Sequence, residues 1–151
     1  MDDISLQIMQ LTARGYCCSQ IMMQLTLADM GEENVPLVRA MAGLCEGAGA
    51  GELCGVASAG ACIMAFYAAK GSDVETTLDC YPLLLSQFMD WYKENAVTWG
   101  GIRCDDIIAF QGGKKPEACG DMLVRAREMI LQILAENNID PSLPRERADE
   151  F

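Results

Sequence analysis

The longest uncharged stretch of the chain, residues 53–69, places the firmest constraint on the fold. It is rich in Gly, Ala and Ser and falls short of the roughly 20 apolar residues that a membrane-spanning helix needs. A helix that is apolar on every side is buried in a protein core. We therefore predict a central, small-residue helix that neighbouring helices approach closely, and no insertion into a membrane.

The remainder of the chain has the periodicity of amphipathic helices and no strand-like alternation. Two helices are predicted before Gly31, separated at Gly15, and a third over residues 35–44. A long helix follows over residues 82–96, a short one begins near Cys104, and the last begins after Pro116. Since 151 residues favour one domain, the fold class is a single compact all-α domain packed around the residue 53–69 helix.

The C-terminal residues differ in composition from the rest. Residues 1–139 form the predicted helical domain, whereas residues 140–151 carry two prolines and several charges. Such a segment offers little apolar surface to bury, so we predict a loosely held, charged tail.

The net charge of −11 limits the partners of the chain. Phosphate backbones and anionic membrane surfaces both require clustered Lys and Arg, so nucleic acid is not an expected partner. The residues after Met1 show no basic region followed by an apolar run, so we expect no secretory signal and a cytoplasmic location. Thiols in that compartment are expected to be mostly reduced.

Eight cysteines occur in a chain that has no histidine. They are Cys17, Cys18, Cys45, Cys54, Cys62, Cys80, Cys104 and Cys119. Without histidine, sulfur is the expected reagent or metal ligand. No CxxC pair is present, which removes the thioredoxin, zinc-ribbon and clustered ferredoxin patterns, and haem attachment through CxxCH is impossible.

Four of these cysteines stand where helices are predicted to begin. They are Cys18, Cys54, Cys104 and Cys119. A helix N-terminus favours a thiolate, so four such thiols are candidates for a metal-cluster or dithiol site. Cys17 is an alternative to its neighbour Cys18, since at most one of the two should face the site. Cys45, Cys62 and Cys80 are predicted to be buried packing residues.

The glycines between residues 43 and 60 suggest a phosphate-binding loop, but they match neither GxGxxG nor a loop ending in Gly-Lys-Ser/Thr. Glu52 would also repel phosphate. We interpret this segment as close backbone packing around Cys54.

Two segments resemble a known family. The residues from Gly15 to Gln20 resemble a G-x-x-C-x-Q opening, and those from Cys54 to Gly60 resemble a C-G-A-x-x-G segment. Two single cysteines follow, and together these features resemble the redox-active family named C_GCAxxG_C_C. Val56 replaces the usual Ala, and Ala59 stands where Gly is expected, with Gly60 one place later.

The resemblance places the four family cysteines on Cys18, Cys54, Cys104 and Cys119, and its supporting positions on Gln20, Gly55 and Gly60. It implies a helical domain with a redox role. A similar domain in split-Soret cytochromes accompanies an iron-sulfur centre, which makes a cluster the expected cofactor, without haem.

The leading hypothesis is a small redox protein with an iron-sulfur or other soft-metal site for electron transfer. The alternatives are a metal-free thiol-disulfide protein and a non-catalytic binding module of a transporter or enzyme complex. The expected partners are a second copy of the chain and an electron-transfer or transporter-associated protein. The homodimer prediction rests on the 51% hydrophobic content and on the aromatics Tyr81, Phe88, Trp91 and Tyr92.

Overall fold

The computed structural model describes residues 3–112 and 118–145, except for the side chains of Ala118 and Cys119. Its helices are α1 (Asp3–Ala13), α2 (Cys18–Met30), α3 (Val35–Met41), α4 (Gly55–Ala68), α5 (Tyr81–Ala96), α6 (Cys104–Phe110) and α7 (Ala118–Glu136). Short 3-10 turns, Ala42–Leu44 and Val97–Trp99, extend α3 and α5. Over the described ranges, β pairing is confined to one isolated bridge between Leu53 and Arg103. The all-α prediction is confirmed.

The helix boundaries follow local sequence signals. Gly31 ends α2 in the left-handed conformation, with φ of 69°, and its N–H donates to the carbonyls of Leu27 and Ala28. The Asn34 side chain caps α3 by accepting from the N–H of Leu37. Pro82 lies in the first turn of α5, where a missing N–H leaves no helical bond unmade. These signals are why the predicted and observed helices agree closely.

Helix α4 packs against α2, α5 and α7. Val56, Ala57, Ile63 and Met64 on this helix are each at most 1% exposed. A Cβ atom at Gly60 would overlap the ring of Phe88 on α5, so glycine sets how closely these two helices approach. The further prediction that the whole fold is organised around α4 stays a prediction.

The aromatic residues of α5 are accommodated within the domain. Phe88 and Tyr92 have no exposed surface, and Tyr81 and Trp91 are half-buried against the same core. Phe88 packs where α4 lacks a side chain at Gly60, whereas Tyr81 and Trp91 keep part of their surface exposed. The homodimer stays a prediction.

Part of the predicted loose tail contacts the helices. The hydroxyl of Tyr67 on α4 donates to the carbonyl of Pro141 at 2.9 Å, and Arg145 donates to the carbonyls of Ala69 and Thr76. Burial, with smaller effects of Asp29 and Asp140, raises the pKa of Tyr67 to about 12, although Arg127 acts in the opposite direction. Residues 146–151, the rest of that prediction, lie outside the described residues.

Two half-buried charges join α2 to α7. Arg127 donates to the carboxylate of Asp29 at 2.6 Å.

No helix of residues 3–112 or 118–145 is both long and apolar enough to cross a membrane.

Candidate redox site

A disulfide links Cys17 to Cys45, with their Cα atoms 6.2 Å apart. Cys17 lies in extended backbone directly before α2, and Cys45 lies in extended backbone directly after the Ala42–Leu44 turn. Both side chains are half-buried. Cys45 was predicted to be a buried packing residue, whereas the structure joins it to Cys17. The expectation that the thiols of the chain are mostly reduced stays a prediction. Cys17, the alternative ligand, is joined to Cys45.

Ser19 lies against the sulfur of Cys45. Its side chain is fully buried, and its hydroxyl lies 2.7 Å from Cys45 Sγ and 2.6 Å from the carbonyl of Met41. A disulfide sulfur carries no proton, so the serine is the donor in either contact. One hydroxyl hydrogen therefore has three neighbouring acceptors: the Met41 carbonyl, Cys45 Sγ and, at 3.7 Å, Cys17 Sγ.

Gln20 fixes the other cysteine of the disulfide. Its Oε1 accepts from the N–H of Cys17 at 3.2 Å, and its Nε2 donates to the carbonyl of Val38 on α3 at 3.1 Å. The first bond satisfies an N–H at the start of α2 that has no helical partner. Gln20 therefore holds the start of α2, the disulfide and α3 in one arrangement.

Cys18 points to the start of α4. A Cβ atom built on Gly55 would lie 2.8 Å from Cys18 Sγ and 3.0 Å from the carbonyl of Leu44. The same atom would lie 3.5 Å from the Cα of Cys45. Gly55 thus leaves room for the Cys18 thiol, which lies near the backbone of Cys45.

Cys54 and Cys104 lie on either side of the Leu53–Arg103 bridge. The N–H of Cys54 donates to Ile102 at 2.9 Å, and the N–H of Cys104 donates to Glu52 at 2.7 Å. In an antiparallel pair these two positions are diagonal neighbours on one face, roughly 7–8 Å apart. Backbone pairing thus brings together two cysteines that are 50 positions apart in the sequence. Cys54 is 5% exposed and Cys104 is half-buried.

The glycine-rich segment before Cys54 forms a tight left-handed turn. Glu46, Gly47, Ala48 and Gly49 all have positive φ, and the N–H of Glu52 donates to the carbonyl of Gly47. Left-handed backbone is costly for Glu46 and Ala48, which have side chains. A Cβ atom at Gly51 would overlap the carboxylate of Asp105, so the turn packs directly on α6. The prediction of close backbone packing here agrees with this geometry.

An exposed ion pair joins the same two segments. Arg103 donates through Nε and another guanidinium nitrogen to the Glu52 carboxylate, both at 3.2 Å. The hydrogen bond and charge of Glu52 raise the pKa of Arg103 above its ordinary value. The Glu52 side chain thus adds an ion pair to the backbone pairing at the Leu53–Arg103 bridge.

Cys62 and Cys80, which were predicted to be buried packing residues, are only half-buried, and both pack against the core. Cys80 precedes α5, and Cys62 lies in the middle of α4. Burial raises the pKa of the Cys62 thiol. A raised pKa lowers the thiolate fraction, which suits a packing role better than a reactive one.

The structure places Cys18 beside the start of α4 and connects the segments of Cys54 and Cys104 through the bridge, and the predicted shared site of four cysteines stays a prediction. Cys119 lies in the first turn of α7, as predicted, but its side chain is outside the described residues. Gln20 and Gly55 are in contact with the cysteines, whereas Gly60 packs on Phe88. Among the described side chains, no group of three His, Cys, Asp or Glu residues is placed to hold a metal ion.

Sequence reasoning missed Ser19 and the role of Cys45. Ser19 is the residue between Cys18 and Gln20 and carried no signal of its own. For Cys45, the signal was the Cys17–Cys18 pair. Two neighbouring side chains cannot face the same way, so one of these thiols must lie against a segment other than the predicted site.

Comparison with known protein families supports a redox role for the chain. The family model described as "Putative redox-active protein (C_GCAxxG_C_C)" matches residues 16–133. The matched region includes every cysteine of the chain. No curated protein and no solved structure matches the chain.

Proposed function

The chain belongs to the C_GCAxxG_C_C family of redox-active proteins, and we propose that its redox chemistry is reversible thiol-disulfide exchange at Cys17 and Cys45. The observation that carries this proposal is the half-buried disulfide at the start of α2, with a third cysteine next to it in sequence. The family match supports a redox role; the assignment to this pair is our own.

The exchange oxidises two external thiols to a disulfide, and their two electrons and two protons reduce the Cys17–Cys45 disulfide. An external thiolate attacks one sulfur of the disulfide, forming a mixed disulfide and releasing the other cysteine as a thiolate. A second external thiol then attacks the mixed disulfide and releases an external disulfide. The protein ends as a dithiol, having gained two electrons and two protons.

Two features favour this chemistry. A thiolate on Cys17 lies at the N-terminus of the 13-residue helix α2, whose unpaired N–H groups stabilise negative charge. A thiolate on Cys45 lies 2.7 Å from the Ser19 hydroxyl, which can turn from the Met41 carbonyl to donate to it. Both leaving groups are therefore stabilised by groups already in place.

Thiol counting on the folded protein tests the proposal. Treatment of the oxidised protein with dithiothreitol should expose two additional alkylatable thiols, which peptide mapping should place at Cys17 and Cys45. The gain should disappear in Cys17→Ser and Cys45→Ser and persist in the matched control Cys62→Ser. An unchanged thiol count in the unmodified protein would overturn the proposal.

A soft-metal site is the second candidate. Its support is that Cys18 points to the start of α4, which directly follows Cys54, and that the bridge pairs the backbone segments of Cys54 and Cys104. Cysteine thiolates are the usual ligands of iron-sulfur clusters and of structural zinc. Cys119 would have to be the fourth ligand. If bound there, an iron-sulfur cluster would supply one-electron transfer.

Anaerobic purification tests this candidate. A cluster would give visible charge-transfer absorption with stoichiometric iron and sulfide, lost in Cys54→Ser and retained in the control Cys80→Ser. Protein that contains neither metal nor sulfide after anaerobic reconstitution would exclude it. If reversible thiol chemistry were also absent, the non-catalytic binding module predicted from sequence would be the remaining function.

A further inference from the structure

A cleft of about 720 Å³ lies between α2 and α3, and its lining includes Tyr16 and Gln20, the neighbours of Cys17. The α1–α2 loop, with Arg14 and Tyr16, forms one part of its wall, and Arg39 of α3 forms another. Its volume is within the range of small-molecule sites, roughly 300–1,000 Å³.

The cleft has charges of both signs. Arg14 and Arg39 contribute two positive charges, and Glu32 and Glu33 contribute two negative ones. The four cancel, in contrast to the net charge of −11 of the whole chain. Such a lining matches a ligand that carries both carboxylate and ammonium groups, because each group finds an opposite charge.

Amide groups lie between these charges. Gln24 lines the cleft, and its Nε2 is buried with no hydrogen-bond partner in the described part of the chain. A ligand oxygen would satisfy this unpaired donor once the Gln24 side chain turns toward the cleft. Gln20 also lines the cleft. A ligand with peptide amides or carboxylates therefore suits the lining better than an apolar one.

The cleft adjoins the sulfur chemistry through two residues. Tyr16 immediately precedes Cys17, and Gln20 holds the Cys17 N–H while its Oε1 lies 3.5 Å from Cys17 Sγ. A molecule that contacts Gln20 from the cleft is therefore within a few ångströms of the disulfide.

We propose that this cleft binds a zwitterionic low-molecular-weight peptide thiol, which is the reductant of the Cys17–Cys45 disulfide. This inference rests on the proposed function. The bound thiolate attacks Cys17 Sγ, the S–S bond breaks, and Cys45 leaves as a thiolate that takes up a proton from solvent. A second peptide thiol attacks the mixed disulfide, releasing the peptide disulfide and the Cys17 thiol, so two thiols are oxidised for each protein disulfide reduced.

Binding is measured with a probe that cannot exchange. S-methylglutathione carries the carboxylates, ammonium and amides but has no free thiol. Isothermal titration calorimetry on the oxidised, full-length protein should detect 1:1 binding. The affinity should fall about tenfold or more in Arg14→Gln and in Arg39→Gln, since each removes a charged hydrogen-bond donor. Lys93→Gln removes one positive charge from the exposed face of α5 and should leave the affinity unchanged.

Two further probes define the ligand. The dimethyl ester of S-methylglutathione, whose carboxylates are masked, should bind at least tenfold more weakly. S-methylcysteine should also bind more weakly, because it has no peptide amides for Gln20 and Gln24. Equal affinity for S-methylcysteine and the peptide would overturn the peptide assignment.

The two proposals fail in different ways. If dithiothreitol reduces the Cys17–Cys45 disulfide but S-methylglutathione does not bind, the cleft assignment is wrong and the redox pair stands. If the probe binds with the expected variant pattern but no disulfide can be reduced, the redox pair is wrong and the cleft is a peptide-binding site. If Lys93→Gln weakened binding as much as Arg14→Gln does, the cleft assignment would also be wrong, because the affinity would then depend on the net charge of the protein and not on the residues that line the cleft.

Discussion

Gly55 decides where the thiol of Cys18 can lie. The position a Cβ atom would take at Gly55 is 2.8 Å from Cys18 Sγ and 3.0 Å from the Leu44 carbonyl. Real Cβ atoms do not approach other atoms so closely, so a side chain here must displace the thiol, the turn after α3 or α4 itself. A single hydrogen-for-methyl change therefore tests whether the packing of these segments is as tight as the structure shows.

Gly55→Ala should lower the free energy of unfolding by about 1–3 kcal/mol, because an extra methyl group overpacks the start of α4. Urea unfolding followed by circular dichroism measures it. The matched control is Gly120→Ala in α7, where the described residues outside its own helix turn place no atom within 4 Å of the new Cβ and alanine should be neutral or stabilising by up to about 1 kcal/mol. Equal stability of the two variants would contradict the packing described for Gly55.

Cys62 should react slowly with alkylating reagents. Burial raises its pKa, so at a given pH the folded protein has less Cys62 thiolate than the unfolded chain does. The rate of iodoacetamide labelling at Cys62, followed by mass spectrometry, should rise with pH to a midpoint above the ordinary cysteine value of about 8.5. In urea the midpoint should return to that value. A folded-state midpoint below about 8.5 would contradict the packing role.

At this scale the sequence predicted the helix starts that carry Cys18, Cys54 and Cys104 but not the bond between Cys17 and Cys45. Cys18, Cys54 and Cys104 were predicted at helix starts, and helix-start signals are local. The partner of Cys17 was not predicted, because it depends on how the chain returns from α2 to the turn after α3, 28 residues later. Nothing in the residues around Cys45 specifies that approach.

Helices α4 and α5 depend on Gly60 for their separation. Phe88 occupies the space that a side chain at position 60 would fill, and both residues are fully buried. Large residues opposite small ones are how helices interlock in a dense core. The helices themselves were predictable from periodicity and from breakers such as Gly31, whereas this pairing was not, since small residues in α4 are compatible with several neighbours.

Gly60→Ala should destabilise the protein by about 1–3 kcal/mol, since the ring of Phe88 has no free space to enter. Phe88→Leu alone should also destabilise, by leaving unfilled volume. The double variant should lose less stability than the sum of the two, because the smaller side chain makes room for the new methyl group. Strict additivity in this double-mutant cycle, measured by urea unfolding, would contradict the close contact.

For the whole molecule, the disulfide is a constraint on the unfolded chain as well as a redox centre. It closes a loop of 28 residues that contains α2 and α3. A loop of that length lowers the entropy of the unfolded state by an amount worth about 3–4 kcal/mol at 25 °C. Folding stability and redox state are therefore linked.

Reduction should lower the free energy of unfolding by about 3–4 kcal/mol, measured by urea denaturation with and without dithiothreitol. The variant Cys45→Ser should resemble the reduced protein and should not respond to the reductant. A second control, Cys62→Ser, should keep the full response. Equal stability of oxidised and reduced wild-type protein would mean that the link between Cys17 and Cys45 does not constrain the chain in solution.

A redox titration with residue-specific readout decides whether Cys17 and Cys45 exchange electrons as one pair. Protein is equilibrated in dithiothreitol buffers of increasing potential, and its thiols are labelled with light and heavy alkylating reagents before and after full reduction. Our account predicts that Cys17 and Cys45 change together, along one reversible two-electron curve, while Cys62 and Cys80 remain thiols throughout. Independent titration of Cys17 and Cys45, or both remaining thiols at every potential, would contradict it.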